Sequence, residues 1–328
     1  MKKIQVYIIS GFLGSGKTTV LLNMLKECER NNQRSAIILN ELGDVNVENS
    51  LFEGKNVQEL LNGCICCTMQ EDLKETLVQF IIENEKENID VLFIEGTGVA
   101  NPLEIEETLI SPNFLDFFEL CSMISVVDAS GYIEYQSIFS STSEVRKLLK
   151  EQISSSTIVL LNKTDLMEEK SISKIEKKLK ETIKDNVPVY RTKFGEGPLK
   201  ELFLKRYHVH VAQEEIESKP LGNCSHSQHK HHHSTINAIR IDKLPYMNKI
   251  QLEKWLKKLP KTVLRGKGIV KLEDCVELYH FQFSSGNMIL EKVKNSSRSQ
   301  PTIILIGDCL NVEEIHLHFS NTFKAKNR

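Results

Sequence analysis

The segment IQVYIISGFLGSGKTTVLLNML, residues 4–25, constrains this chain more than any other. An apolar, β-branched run passes into GFLGSGKTT (11–19) and then into a helix-forming pattern. The loop satisfies G-x-x-x-x-G-K-[ST] in the strand–loop–helix context that this motif needs. Gly11, Gly14 and Gly16 let the backbone turn so that its N–H groups, with those of Ser15 and Thr19, face a phosphate chain. The dipole of the following helix adds to the attraction. Lys17 would reach the β- and γ-phosphates, and the Thr18 hydroxyl would ligate Mg²⁺. A chance glycine turn is the bland alternative, and the flanking strand and helix count against it.

The pattern around the loop predicts the fold. IQVYIIS (4–10), SAIILN (35–40), VLFIEG (91–96), MISVVD (123–128), TIVLLN (157–162) and PVYR (188–191) have strand character. Between them lie helix-like stretches such as KTTVLLNMLKECERN, SEVRKLLKEQI and SISKIEKKLKETIKD. Near-continuous apolar strands separated by helices predict an α/β P-loop NTPase fold, a mostly parallel sheet flanked by helices. Residues 213–235, QEEIESKPLGNCSHSQHKHHHST, contain almost nothing that builds a core and read as a linker. New patterned segments follow: INAIRID, the amphipathic KIQLEKWLKKLP, VKLEDCVELYHFQFS and TIILIGDC. The expected division is a nucleotide domain over 1–210, a histidine-rich linker over 211–235 and a smaller α+β domain over 236–328.

Two further motifs name the nucleotide. IEGTG (94–98) ends a strand with a carboxylate, so Glu95 is the candidate to hold Mg²⁺ or its water, and the Gly98 backbone would approach the γ-phosphate. NKTD (162–165) follows an apolar strand; Asn162, Lys163 and Asp165 form the Asn-Lys-x-Asp pattern that reads guanine. A carboxylate there accepts from N1–H and the exocyclic amine, donors that adenine lacks, and a buried acceptor rejects the base that leaves it unpaired. This points to GTP rather than ATP. In YRTKFGEG, Thr192 and Lys193 occupy the place of a guanine-stacking loop. Lys17 and Glu95 are the candidate catalytic residues, and no water-activating side chain is evident.

LNGCICCTMQ (61–70) holds three of the eight cysteines within four positions. Three roles suit such a cluster. Buried cysteines are common in cores, although three after Asn-Gly make an odd core pattern. Cys64 and Cys67 form the C-x-x-C of a redox pair, although thioredoxin-like chains carry it without a phosphate loop. A metal clamp is the third role: thiolates select Zn²⁺ or Cu(I), and in extended chain Cys64 and Cys66 face the same way. Cys67 would join them at a turn, with Glu41 or Asp44 as an oxygen partner. The cluster lies between the phosphate-loop helix and the Glu95 strand, an interval that in P-loop GTPases contains a segment ordered by the γ-phosphate.

His226, His229, His231, His232 and His233 follow Cys224 in the linker. They form either a plain polar linker or a weak collector of Zn²⁺, Ni²⁺ or Co²⁺.

These motifs together resemble the CobW-like P-loop GTPases, relatives of the nickel-handling UreG and HypB proteins. The residues that carry the likeness are GFLGSGKTT, NELGD (40–44), NGCICC (62–67), IEGTG with ANP (94–102), NKTD and WLKKLPKTVLRGKGIV (255–270). The resemblance covers nearly the whole chain. It implies GTP hydrolysis coupled to delivery of a transition metal, zinc first and cobalt second, to a client metalloprotein or cofactor-biosynthesis enzyme. Three positions depart from the family pattern: Asp44 stands where Glu is usual, a glycine is missing near Asn46, and Gly96 replaces a small hydroxyl residue. A GTP-gated metal buffer or sensor without a client is the alternative; a P-loop kinase or ligase with a structural metal fits NKTD less well.

The balance of 42 basic and 44 acidic residues gives no field for nucleic acid or anionic lipid. No apolar run is long enough to span a bilayer. The opening lysines resemble a leader, but the apolar run is short and flows into the glycine loop. With scattered cysteines elsewhere, the expectation is a reducing cytoplasm. Monomer and nucleotide- or metal-dependent dimer both fit.

Overall fold

The computed structural model describes residues 2–39, 56–59, 69–96, 98, 101–212, 236–273, 275–284, 286–293, 300–308 and 310–323. Glu41, Asp44, Cys64, Cys66, Cys67 and the histidine tract lie outside the described residues. The chain divides into two compact units, the first Met1–Ile110 with Phe114–Arg206, the second Tyr207–Arg328 with Ser111–Asn113.

The first unit is built on a seven-stranded sheet. Its strands are β1 (Ile4–Ser10), β2 (Ser35–Leu39), β3 (Asn56–Glu59), β4 (Val91–Glu95), β5 (Phe118–Asp128), β6 (Ile158–Asn162) and β7 (Val189–Arg191), in the order β3-β2-β4-β1-β5-β6-β7. Every pairing in this sheet is parallel. Parallel strands are buried on both faces, which explains their unbroken apolar runs. Successive residues then enter opposite cores. Val126, Ile158 and Leu160 pack with Val20, Leu21, Met24 and Leu25 of helix α1 (Lys17–Arg30). Val127, Val159 and Leu161 pack on the other face with Leu149 and Ile153 of α5 (Ser143–Ser154) and Ile172, Ile175 and Leu179 of α6 (Glu169–Thr182). The lysines of α6 between those anchors face solvent, as its spacing implies.

The remaining helices of this unit are α2 (Met69–Glu87), α3 (Pro102–Leu109), α4 (Ala129–Gln136) and α7 (Leu199–Leu202). The strand register places the C-terminal ends of β1, β4, β5 and β6 along one sheet edge, with Ile9 opposite Glu95 and Asp128 opposite Asn162. In open α/β sheets this edge is where ligands bind.

The second unit carries a six-stranded sheet of β8 (Tyr207–Ala212), β9 (Ile236–Ile241), β10 (Val263–Lys271), β11 (Leu278–Ser284), β12 (Asn287–Lys292) and β13 (Thr302–Asp308). β8 and β9 are parallel, and the other pairings are antiparallel. Helices α8 (Lys249–Lys257) and α9 (Val312–Phe323) supply Leu252, Trp255, Leu256, Phe319 and Phe323 to its core. The Trp255 ring meets Phe319 edge-on at 5.4 Å. Asn248 caps α8 by accepting from the backbone N–H groups of Ile250 and Gln251.

Candidate nucleotide site

The loop between β1 and α1 takes the form its glycines permit. Gly14 and Gly16 have φ of 71° and 100°, a region that side-chain-bearing residues rarely adopt. At Gly11 a Cβ would lie 2.2 Å from the Val126 carbonyl oxygen, so only glycine lets the loop leave the sheet so close to β5. Ser15 is fully buried, and its N–H donates to the Phe12 carbonyl at 3.2 Å. The Lys17 ammonium, also buried, donates to the same carbonyl at 3.4 Å, which holds it across the loop. Thr19 is exposed at the rim.

The Thr18 hydroxyl donates to Glu95 Oε1 at 3.1 Å, uniting the two groups expected around Mg²⁺. Glu95 is buried at the end of β4. A hydroxyl and a carboxylate side by side at the lip of a phosphate loop are oxygen donors of the kind Mg²⁺ takes, so these residues fit that ion. Gly98 lies against the loop: a Cβ there would come 2.6 Å from the Leu13 nitrogen. Its carbonyl accepts from Gln152 Nε2 of α5 at 3.1 Å.

The Asn-Lys-x-Asp motif is tied to the phosphate loop through Asn162, at the end of β6. Its Nδ2 donates to the Ser15 carbonyl at 2.9 Å. Its Oδ1 accepts from the Thr192 hydroxyl and the Gly195 N–H, both at 3.1 Å. One buried amide therefore joins three loops, and a Cβ on Gly16 would sit 2.5 Å from its nitrogen. Thr164 donates to the Thr192 carbonyl through its N–H at 3.2 Å and its hydroxyl at 3.0 Å. The short 3-10 turn Thr164–Leu166 leaves Asp165 exposed, as an acceptor for an incoming base would be. Thr192 is buried, and its side chain anchors the loop; Lys193 and Phe194 carry the exposed surface.

Lys163 stands at a left-handed φ of 59° and donates to Asp128 Oδ2 at 2.7 Å. Burial alone would raise the Asp128 carboxyl. The bond from Lys163 and two from Ser130 outweigh it and hold that carboxyl below the usual carboxylate range. Sequence reasoning passed over Asp128, Gln152 and Asn23, whose Nδ2 donates to the Gly195 carbonyl at 3.0 Å. Asp128 had a signal: it ends the strand MISVVD, beside the strand that ends in Asn162.

Residues 5–191 match the family described as "CobW/HypB/UreG, nucleotide-binding domain", and residues 236–322 match the "Cobalamin synthesis protein cobW C-terminal domain". The chain belongs to the CobW/HypB/UreG family. Among CobW-type relatives, the "Zinc-regulated GTPase metalloprotein activator 1" of Dictyostelium discoideum is 33% identical over 234 residues, 61% of this chain and 48% of that protein. The "Zinc chaperone YjiA" of Escherichia coli is 34% identical over 208 residues, 62% of each. The matches thus span less than two thirds of these relatives' own length. The crystal structure of the Zn(II)-bound YjiA GTPase shares the fold, with a TM-score of 0.50 at 24% identity over 98% of this chain and 99% of that one. No helix among the described residues of this CobW-family chain is long and apolar enough to cross a membrane.

Proposed function

We propose that this protein is a GTP-hydrolysing metallochaperone that takes up a transition metal, zinc first and cobalt second, and passes it to a client protein or pathway. The observation that carries the nucleotide half is the Asn162 amide, which ties the Ser15 carbonyl to Thr192 and Gly195 and leaves Asp165 exposed beside them. The metal half rests on the Cys64, Cys66 and Cys67 cluster, with Glu41 or Asp44, and on relatives named as zinc chaperones.

In this reading Lys17 and the loop N–H groups hold the β- and γ-phosphates, and Asp165 selects guanine. Thr18 and Glu95 would hold Mg²⁺, which would supply charge neutralisation at the phosphate oxygens. Water attacks the γ-phosphorus in line, the bond to the β-bridging oxygen breaks, and GDP and phosphate leave. Gly98, pressed against Leu13, would sense loss of the γ-phosphate. The cysteine segment, between α1 and β4 in the chain, would tighten on metal with GTP and loosen after hydrolysis. Linkage then requires bound metal to tighten GTP by the same factor.

The test is chelator competition for Zn²⁺ and Co²⁺ on the reduced protein with Mg·GTP analogue, with Mg·GDP and without nucleotide, beside phosphate release from GTP. Affinity should rise with the analogue alone, and Cys66→Ser should abolish the rise while leaving nucleotide binding intact. Equal metal affinity in all three states would replace the chaperone by a passive metal buffer. A chain that releases no phosphate from GTP removes the enzymatic reading.

A further inference from the structure

The loop after β7 contains a residue that its backbone geometry does not favour. The Glu196 N–H donates to the Lys193 carbonyl at 3.0 Å and closes a four-residue turn. Both central residues have positive φ, 52° at Phe194 and 65° at Gly195. Turns of this kind are dominated by glycine, asparagine and aspartate, because a side chain at positive φ crowds its own backbone. Glycine meets the demand at Gly195. Phe194 does not, and its ring stays 69% exposed. Local folding therefore gains little from a phenylalanine here: the backbone disfavours it, and most of the ring stays in water.

The position is fixed from several sides. Gly195 donates to Asn162 Oδ1 at 3.1 Å and accepts from Asn23 at 3.0 Å. It lies so close to α1 that a Cβ would reach Thr19 and Val20 at 3.0 Å. Two residues before Phe194, the Thr192 carbonyl accepts from Thr164 of the turn that carries Asp165. Phe194 is thus mounted between anchors on Asn162 and α1, made at Gly195, and an anchor on the turn that carries Asp165, made at Thr192. Strained, exposed residues on loops held this firmly are characteristic of ligand contacts. A flat aromatic face suits one part of a nucleotide, the purine ring.

We propose that Phe194 is the platform on which the purine base of the bound nucleotide stacks, complementing the hydrogen-bonded reading of its edge by Asp165. The proposal rests on the guanine-nucleotide reading of the site and adds a residue that the motifs do not name.

Two substitutions test it. Phe194→Gly suits the positive φ, so the midpoint of thermal unfolding without nucleotide should stay level or rise. The Kd for Mg·GDP, measured by calorimetry, should rise about tenfold, the scale of one lost aromatic–base stack. Those opposite signs distinguish a base contact from a merely structural residue. Phe194→Trp should restore affinity, and its emission should be quenched when Mg·GDP is added; the native Trp255 is buried in the second unit and gives a constant background. Wild-type affinity in Phe194→Gly, with unmoved emission in Phe194→Trp, overturns the stacking role and leaves the guanine-nucleotide reading standing. A wild-type chain that binds neither GDP nor GTP overturns that reading and the stacking role with it.

Discussion

Asn162 shows how one side chain can organise the loops around a candidate site. The Asn-Lys-x-Asp motif assigns Asn162 a part in reading a base, and both ends of this amide also engage protein loops. Asn162→Ala should cost about 3 kcal/mol, since it leaves three buried partners on two loops without their bonds. A denaturant titration without nucleotide checks this, and GDP affinity should fall in parallel because the loops separate. Asp128 gives a pH-dependent counterpart. Its carboxyl is held low by Lys163 and Ser130 against the opposing effect of burial. A lowered folded value stabilises above the unfolded carboxylate range, about pH 4, and the contribution disappears as pH falls through the folded value. The stability difference between wild type and Asp128→Asn should therefore be level from about pH 5 to 8 and shrink below about pH 4. A difference that grows on acidification would contradict the pairing.

At the scale of elements, α5 secures the segment that follows β4. Gln152 donates to the Gly98 carbonyl at 3.1 Å, and Glu151 accepts from Asn101 Nδ2 at 3.4 Å. Asn101 in turn caps α3, accepting from the Leu103 N–H at 3.0 Å. If Gly98 meets the γ-phosphate as proposed, Gln152→Leu should lower affinity for a Mg·GTP analogue several-fold while GDP affinity stays near wild type. Equal losses for both nucleotides would assign Gln152 to general packing. Which elements were legible in the sequence follows from the same physics. Strands such as IQVYIIS and TIVLLN are buried on both faces, so their composition alone marks them. The edge strand β3, NVQE, has neither an apolar run nor alternation, and its existence depends on pairing with β2. Likewise VKLEDCVELYHFQFS reads as one patterned stretch but divides between β10 and β11, which pair antiparallel. The glycines and Lys17 could be placed from spacing. Asp128 and Gln152 reach the site only through long-range hydrogen bonds, which leave no period in the sequence.

Across the whole molecule, the cysteines fall into groups with different chemistry. Cys28 on α1 and Cys121 on β5 are fully buried in the first unit's core, and burial pushes the Cys121 thiol up to about 11. A thiol with so little thiolate at neutral pH, and no solvent access, neither alkylates nor binds metal readily. Cys275 is half-buried and accepts from the Tyr279 hydroxyl at 3.6 Å. Alkylation of the native, reduced protein at pH 7.5, read residue by residue by mass spectrometry, should leave Cys28 and Cys121 unmodified with or without metal. Cys64, Cys66 and Cys67 should react rapidly in metal-free protein and be protected together by Zn²⁺, more strongly with a Mg·GTP analogue than with Mg·GDP. Protection by Zn²⁺ that ignores the nucleotide would mean that the clamp and the nucleotide site act separately. If instead those three cysteines stay unreactive in metal-free protein, the metal clamp gives way to the core-residue reading, since thiols poised to capture zinc must first be accessible as thiolates.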